Sequence, residues 1–219
     1  MFRGLNGPAA AVAAQHSQCY ASWYSNIPGM ITIAPYDAED NKGLLKAAVR
    51  SKEVVMFLEN ENLYGEHFDI SDEALGEDFI LPIGKAKIMR EGKDVTIVGY
   101  SRNVKFSLEA AAELEKEGIS CEVINLRTIK PMDRDTIIES LAKTNRMVTV
   151  EDGFPQSGIG AEIAAIVNES GFDYLDAPIE RVSSMDIPMP YAKNLEDAVV
   201  PHVDSIIKAV KKTLQGVRL

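Results

Sequence analysis

Apolar and polar positions in the first third of the chain follow two periods, one typical of helices and one of strands. An alanine-rich stretch without glycine or proline, residues 9–24, predicts a helix. The apolar runs at 30–34 and 54–58 predict strands, and the unbroken second run is typical of a strand buried on both faces of a parallel sheet. Between them, Asp37 predicts a helix start. The buried face of that helix is expected to be Leu44, Leu45, Ala48 and Val49.

This periodicity lapses over residues 64–92, where an acidic run at 71–78 makes the stretch the best candidate for a linker. Beyond it the alternation is regular. Strands are predicted at 95–100, 121–126, 147–150 and 179–182, and helices at 103–117, 133–143, 159–170 and 203–214. Gly171 is expected to end the third of these helices in the left-handed conformation. The pattern predicts an α/β fold in two units, residues 1–78 including the linker and residues 79–219.

Composition narrows the classes of partner. A net charge of -10 opposes binding to nucleic acid. No apolar run approaches the roughly 20 residues of a membrane-spanning helix, and no secretory signal is evident, so we expect a soluble chain without a membrane partner. The two cysteines, Cys19 and Cys121, lie far apart, which predicts neither a disulfide framework nor a zinc site. A reducing compartment fits, either the bacterial cytoplasm or the mitochondrial matrix.

Three histidines are candidates for proton transfer. His67 in the linker and His202 at the start of the last helix are expected at the surface. His16 lies near the beginning of the chain, with Tyr20 and Trp23 close by in sequence. The spacing of these residues fits a structural histidine, hydrogen-bonded in the core or at the surface. It also fits a histidine that donates and accepts protons with a pKa near neutrality.

Two further patterns have both a structural and a functional interpretation. The glycine-rich stretch 153–162 follows a strand and opens a helix, where backbone N–H groups can bind an anion. It lacks the full phosphate-loop and dinucleotide signatures, so tight helix packing is the favoured explanation. Glu59 and Glu61 end a strand without a second set of ligands, which gives no support for a divalent metal. The proline-containing segment 188–191 fits a loop plug or an interface, and we favour an interface.

Phrases along the whole chain resemble the beta subunits of thiamine-diphosphate-dependent 2-oxoacid dehydrogenases, members of the transketolase-like family. They occur in order at residues 2–4, 6–7, 12–18, 58–61, 64–65, 82–86, 121–133, 158–163, 175–178 and 188–193. The residues around Cys19, Tyr20 and Trp23 favour pyruvate as the substrate. Beta subunits acting on branched-chain 2-oxoacids or acetoin are the nearest alternative, and a non-catalytic dimerisation or docking fragment is an alternative of another class.

The resemblance implies an incomplete pyrimidine-binding α/β domain at 1–78 and a transketolase-type C-terminal α/β domain at 79–219. It also implies a tetramer of two alpha and two beta subunits that binds thiamine diphosphate at the alpha/beta interface, with magnesium held by the alpha subunit. Such an enzyme oxidatively decarboxylates pyruvate and transfers the acetyl group to a lipoyl group of the acyltransferase. The glutamate that activates the cofactor's pyrimidine is expected upstream of residue 1, so we expect the isolated chain to be inactive.

Individual roles also follow from the resemblance. His16 matches the active-site histidine of the family. A potassium site is implied near Ala48, Val49, Ser51 and Glu53, although Ser51 and Glu53 replace an Asp and an Asn familiar in the family. Besides the lipoyl domain, the basic peripheral subunit-binding domain of the acyltransferase is an expected partner, and Asp176 is its implied contact.

Overall fold

The computed structural model describes residues 1–215, which form two β-sheets covered by helices. The strands are β1 (Phe2–Leu5), β2 (Met30–Ile33), β3 (Val54–Glu59), β4 (Lys87–Arg90), β5 (Val95–Gly99), β6 (Cys121–Asn125), β7 (Thr128–Lys130), β8 (Met147–Val150) and β9 (Glu180–Val182). The helices are α1 (Ala21–Ser25), α2 (Ala38–Arg50), α3 (Asp72–Leu75), α4 (Asn103–Glu115), α5 (Arg134–Thr144), α6 (Ile159–Ser170), α7 (Lys193–Val199) and α8 (Val203–Leu214). The last four residues of the second predicted unit lie outside the described residues.

Both sheets are mainly parallel, which confirms the predicted α/β class. The first sheet has the order β1-β3-β2-β7, and the second has the order β4-β6-β5-β8-β9. Only β7 and β4 run antiparallel to their neighbours, and each lies at an edge. The three-residue strand β7 follows the second-sheet strand β6 in the chain but pairs with β2 of the first sheet. Strand β7 therefore links the two sheets, because it follows a strand of one sheet and pairs with a strand of the other. The division between residues 78 and 79 stays a prediction.

The helix predicted at residues 9–24 is wrong. The chain instead forms a 3-10 turn at Ala14–His16 and the short helix α1. Ala11 has a φ of 55° and Ala13 a φ of 61°, values that interrupt a right-handed helix. The backbone N–H of Ala11 donates instead to the carboxylate of Glu196, 185 residues away. Long-range hydrogen bonding thus overrides the helix propensity of alanine.

Helix α2 begins as predicted, since the Asp37 carboxylate accepts from the Asp40 N–H at 2.7 Å. Its buried face is centred on Leu44 and Ala48, whereas Val49 is 66% exposed, so the prediction for Val49 is wrong. The end of α6 also differs. Gly171 has a φ of −145° and not the left-handed value expected of a cap. A Cβ at Gly171 would lie 2.9 Å from the Ile138 side chain, so a larger residue there would require that side chain to move.

The stretch predicted as a linker is packed against both sheets. A Cβ on Gly43 of α2 would lie 2.6 Å from the Leu81 side chain, which shows how closely the stretch approaches this helix. The Lys42 ammonium donates to the Ala74 carbonyl, and β4 pairs with β6. Elsewhere the helix at 203–214 is confirmed, with Val210 fully buried. No helix within residues 1–215 is long and apolar enough to cross a membrane.

Candidate active site

His16 is the last residue of a 3-10 turn, and its side chain is exposed. The backbone just before this turn is strained, and side-chain hydrogen bonds hold the turn in place. Ala13, which precedes the turn, has φ 61° and ψ −170°, a backbone region occupied almost only by glycine. The Ser17 hydroxyl donates to the Ala13 carbonyl at 2.7 Å, and the Gln18 amide donates to the Ala14 carbonyl at 2.9 Å. Strained backbone persists only where its surroundings determine it, and such strain clusters at functional sites.

Residues 6–20, the His16 segment, are anchored to the carboxyl ends of β1 and β3. The Asn6 N–H donates to the Glu59 carbonyl at 2.7 Å, and its side-chain oxygen accepts from the Tyr20 N–H at 2.6 Å. The Asn60 side chain is buried and donates to the carbonyls of Asn6 and Pro8 at 3.1 and 3.2 Å. These bonds fix both ends of the His16 segment on the first sheet.

The Glu59 carboxylate, singled out by its position at a strand end, has a structural partner. Arg3 binds it through two nitrogens at 2.7 and 3.0 Å, and the Tyr64 hydroxyl donates to it at 3.2 Å. Glu61 is exposed in the following 3-10 turn. A bidentate arginine occupies the lone pairs that a cation would need. Glu59 therefore stabilises the end of β3.

The second sheet holds the other side of the His16 segment. The Glu196 carboxylate of α7 accepts from the Ala11 N–H at 3.0 Å. Ala14 packs against a small buried cluster formed by Met189, Val199 and Val200. Met189 therefore acts as a plug, while Tyr191 of the same segment is 75% exposed and remains open for the predicted interface. His16 is consequently presented from a seam between the two sheets.

A buried polar network lies beneath this seam. The Arg102 guanidinium binds the Asp152 carboxylate through two nitrogens, with a shortest distance of 2.7 Å. A Cβ on Gly7 would lie 3.0 Å from that carboxylate, so the His16 segment passes directly over it. The Cys19 sulfur lies 3.7 Å from the Tyr100 hydroxyl. Burial, reinforced by Asp152, raises the pKa of Cys19 to about 11, which keeps this thiol neutral and makes it a poor nucleophile.

The glycine-rich loop surrounds a carboxylate of the chain itself. The buried Glu151 side chain accepts from the backbone N–H groups of Ile159 and Gly160 at 2.9 and 2.7 Å. Burial raises the pKa of Glu151, and these two hydrogen bonds oppose that shift. A Cβ on Gly158 would lie 2.6 Å from the same carboxylate. The packing interpretation of these glycines is confirmed, and the anion at this helix start is internal.

A cleft of about 940 Å³ opens beside the His16 segment. Gln18, Cys19 and Trp23 line one side of it, and the glycine-rich loop and Lys130 line the other. Lys130 is held by the carbonyls of Ser25 and Ile27, at 2.8 and 3.1 Å. The structure thus brings the residues after His16 and the glycine-rich loop to one opening between the sheets.

Other residues singled out by sequence lie elsewhere. His67 and His202 are exposed, as predicted. Asp176 pairs with Arg146 at 3.2 Å, and its side chain is 55% exposed. Arg146 immediately precedes β8, whereas Asp152 follows the carboxyl end of that strand. Asp176 is therefore at the opposite end of the second sheet from the seam.

The residues of the implied potassium site surround the end of α2. Its last turn includes the carbonyls of Ala48 and Val49, which helix geometry leaves without a partner in the helix. The Ser51 N–H donates to the Ala47 carbonyl, and the Ser51 hydroxyl accepts from the Glu53 N–H at 3.1 Å. Glu53 and Val49 are exposed. Any cation bound here would depend mainly on backbone carbonyls.

Metal-binding side chains do not cluster in the part of the chain that the structure describes. Within residues 1–215 there is no group of three or more His, Cys, Asp or Glu side chains arranged to hold a metal ion. The start of α6, the best candidate from sequence for binding an anion, already binds Glu151. This helix start is therefore not free to bind a diphosphate.

Family comparison agrees with this architecture. The description "Transketolase, pyrimidine binding domain" matches residues 1–66, and "Transketolase, C-terminal domain" matches residues 84–206. The chain belongs to the transketolase family. This confirms the fold that the sequence phrases implied.

Curated relatives of high identity point to a narrower group of proteins within this family. The chain is 62% identical over 212 residues to the mitochondrial pyruvate dehydrogenase E1 component subunit beta of Pisum sativum, covering 97% of this chain and 59% of the relative. It is 56% identical over 215 residues to the Homo sapiens protein of the same name, covering 98% and 60%. The chain thus spans about three fifths of the length of these relatives.

A solved structure described as "Split gene transketolase, inactive beta4 tetramer" matches with a TM-score of 0.80 and 25% identity. The match covers 99% of this chain and 66% of that one. The resemblance to beta subunits of 2-oxoacid dehydrogenases, drawn from sequence phrases, is confirmed by the relatives.

Sequence reasoning missed two carboxylates at the seam. Glu151 carries a local signal, since it directly follows a strand and precedes glycines whose added Cβ atoms would clash with it. Glu196 carries none, because its partner Ala11 is 185 residues away and offers only a backbone N–H. Pairing of that kind leaves no spacing pattern in the sequence.

Proposed function

We propose that the chain forms part of the beta subunit of a thiamine-diphosphate-dependent pyruvate dehydrogenase. The observation that carries the proposal is its 56–62% identity to proteins named as that subunit, over at least 97% of the chain. The reaction is the oxidative decarboxylation of pyruvate, with transfer of the acetyl group to a lipoyl group of the acyltransferase. The expected partners are an alpha subunit, a second beta subunit and the lipoyl domain.

Thiamine diphosphate is the expected cofactor, at the interface with the alpha subunit. When bound, it supplies the activated carbon that attacks the 2-oxoacid carbonyl. We assign the diphosphate and magnesium to the alpha subunit, as the family resemblance implies. The occupied start of α6, which already binds Glu151, is consistent with this assignment. We therefore expect activity from the assembled complex and not from this chain alone.

His16 is the residue of this chain that we assign to proton transfer. Imidazole exchanges protons near neutral pH, and the side chain of His16 is exposed at the seam, where a substrate or a lipoyl arm can reach it. The hydrogen bonds that the Ser17 and Gln18 side chains donate to this turn support a fixed position for the imidazole. Holding a catalytic group in place contributes to the rate without new chemistry.

Substitution of His16 tests this assignment. In the alpha/beta complex, we expect His16→Ala to lower lipoyl acetylation about 10²- to 10⁴-fold, as is typical when a general acid or base is lost. Assembly should be unchanged because the side chain is exposed. His67→Ala is the matched control, since it also removes an exposed imidazole. Equal acetylation rates for the two variants would refute the role of His16.

Two alternatives remain as outcomes of the same assay. A beta subunit for branched-chain 2-oxoacids or acetoin would share the fold and prefer another substrate. A non-catalytic docking role is favoured by one observation, that Glu151 already occupies the helix start which the glycine-rich sequence offered for an anion. Complexes that assemble but acetylate nothing from any 2-oxoacid would support that role.

The remaining proposals concern location, ions and docking. The most similar relatives are named mitochondrial, which supports the mitochondrial matrix over the bacterial cytoplasm. Potassium at Ala48, Val49, Ser51 and Glu53 is supported by the open carbonyls at the end of α2. Docking of a basic domain at Asp176 is supported by its exposure, although Arg146 already shares that carboxylate.

A further inference from the structure

We propose that Glu196 is a positioning residue for His16. Its carboxylate holds the Ala11 N–H and so maintains the turn that presents the imidazole. The inference rests on the proposed function of His16, and it adds a group from the other end of the chain to the active site. Glu196 does not touch the reacting atoms in this account and acts through the backbone.

The contact has the features of a specific hydrogen bond. Glu196 is 3% exposed, and one carboxylate oxygen accepts from the Ala11 N–H at 3.0 Å. The other oxygen lies 3.8 Å from the Lys193 ammonium. A carboxylate that accepts from a backbone N–H forms a stronger bond than a neutral acceptor does, and burial strengthens it further. A buried carboxylate left without this donor would be unfavourable.

The backbone beyond this contact requires an external support. Ala11 and Ala13 both have positive φ values, and Ala13 lies in the region reserved for glycine. Alanine does not adopt either conformation without cost, so the segment would relax if nothing held it. The Glu196 carboxylate fixes Ala11, and the buried cluster of Met189, Val199 and Val200 packs on Ala14. Both supports come from α7 and the residues that flank it.

Position in the sequence favours control of geometry over mere packing. Only two residues separate Ala11 from the 3-10 turn that ends at His16. A rotation of the backbone at Ala11 or Ala13 therefore moves the imidazole directly. Catalytic groups lose large factors in rate when displaced by about 1 Å. Loss of the Glu196 contact should thus impair the chemical step more than substrate binding.

The test compares four variants in the alpha/beta complex: Glu196→Ala, Glu196→Gln, Glu196→Asp and Asp197→Ala. Glu196→Ala removes the acceptor, Glu196→Gln keeps an oxygen at the same reach, and Glu196→Asp withdraws the carboxylate by one methylene. Asp197→Ala is the matched control, because its carboxylate is a neighbour on α7 that pairs with Lys193. Hydrogen exchange at the Ala11 amide and the kinetics of lipoyl acetylation are both measured.

We expect Ala11 exchange to rise about tenfold or more in the alanine and aspartate variants and to stay protected in the glutamine variant and the control. The kcat of acetylation should fall about tenfold or more in the same two variants, with an unchanged KM for pyruvate. Rescue by glutamine separates positioning from a need for charge. Should the alanine variant fail to fold, the aspartate variant decides the question.

Unchanged Ala11 exchange in the folded variants would overturn the proposal. So would faster exchange with normal acetylation, provided that His16→Ala is inactive, and the proposed function would then stand. Normal acetylation by His16→Ala would refute the role of His16, and with it the positioning role of Glu196.

Discussion

Glu151 and Glu196 bring carboxylates to backbone N–H groups at two points around the seam, and both are more than 95% buried. The sequence indicated the functional importance of His16, because the residues around it resemble an active-site phrase of a known family. It indicated the packing role of the glycines, because their stretch lacks the full phosphate-loop and dinucleotide signatures. Neither carboxylate was predicted, although the glycines that follow Glu151 are a local signal for it. Backbone N–H donors are the same at every non-proline position, so a side chain such as Glu196 that binds a distant one leaves no residue pattern.

The reactivity of Cys19 is a prediction at the scale of one residue. Burial raises its pKa from 9.0 to about 11, so the folded state favours the neutral thiol. The stability that this preference contributes is complete below pH 9 and is lost as the pH rises through 11. In a Cys121→Ala variant, labelling of Cys19 with a disulfide reagent should still rise about tenfold per pH unit up to about pH 9.5. A rate that levels off near pH 9 would contradict the raised pKa.

Elements of the second sheet were the most predictable from sequence. Helices α6 and α8 occur at the predicted residues, because long periodic segments bury one face regardless of context. Strand β8, which is buried at all four positions, also occurs where it was predicted. Failures occurred where tertiary contacts decide. The strand β7 has three residues, too few for a periodic signal, and forms only because β2 offers an edge. The helix predicted at 9–24 is broken by contacts with α7.

A buried ion pair between elements gives a stability prediction. Asp40 of α2 is fully buried and accepts from Arg127 at 2.6 Å and from Asn125 at 2.7 Å. Arg127→Met leaves this carboxylate without its cation, so we expect a loss of about 3–5 kcal/mol in the free energy of unfolding. Urea denaturation of the purified chain measures it.

Arg134→Met is the matched control for this substitution. Arg134 approaches Glu162 and Glu169 at 3.9 and 3.6 Å, and all three side chains are more than half exposed. An exposed pair of this kind contributes less than about 1 kcal/mol. Similar losses for the two variants would show that the Asp40 pair does not stabilise the contact between the sheets.

At the scale of the whole molecule, the main finding concerns the edge of the second sheet at which its parallel strands end. Ligands of parallel α/β sheets usually bind at that edge. Here Tyr100, Arg127 and Asp152 follow the strand ends and approach residues of the first unit instead. Arg102 binds Asp152 within the second unit. The second unit therefore supports the seam and the His16 segment. Sequence periodicity predicted both units. It did not predict that residues at this edge of the second sheet contact the first unit.

Acetylation of a lipoyl domain is the most direct test of this account. The chain, as its gene encodes it, is co-expressed with a pyruvate dehydrogenase alpha subunit and supplied with thiamine diphosphate, magnesium and a series of 2-oxoacids. We predict acylation that requires the cofactor and prefers pyruvate over branched-chain substrates by roughly tenfold or more. An assembled complex that prefers a branched-chain substrate, or acylates nothing, would contradict it.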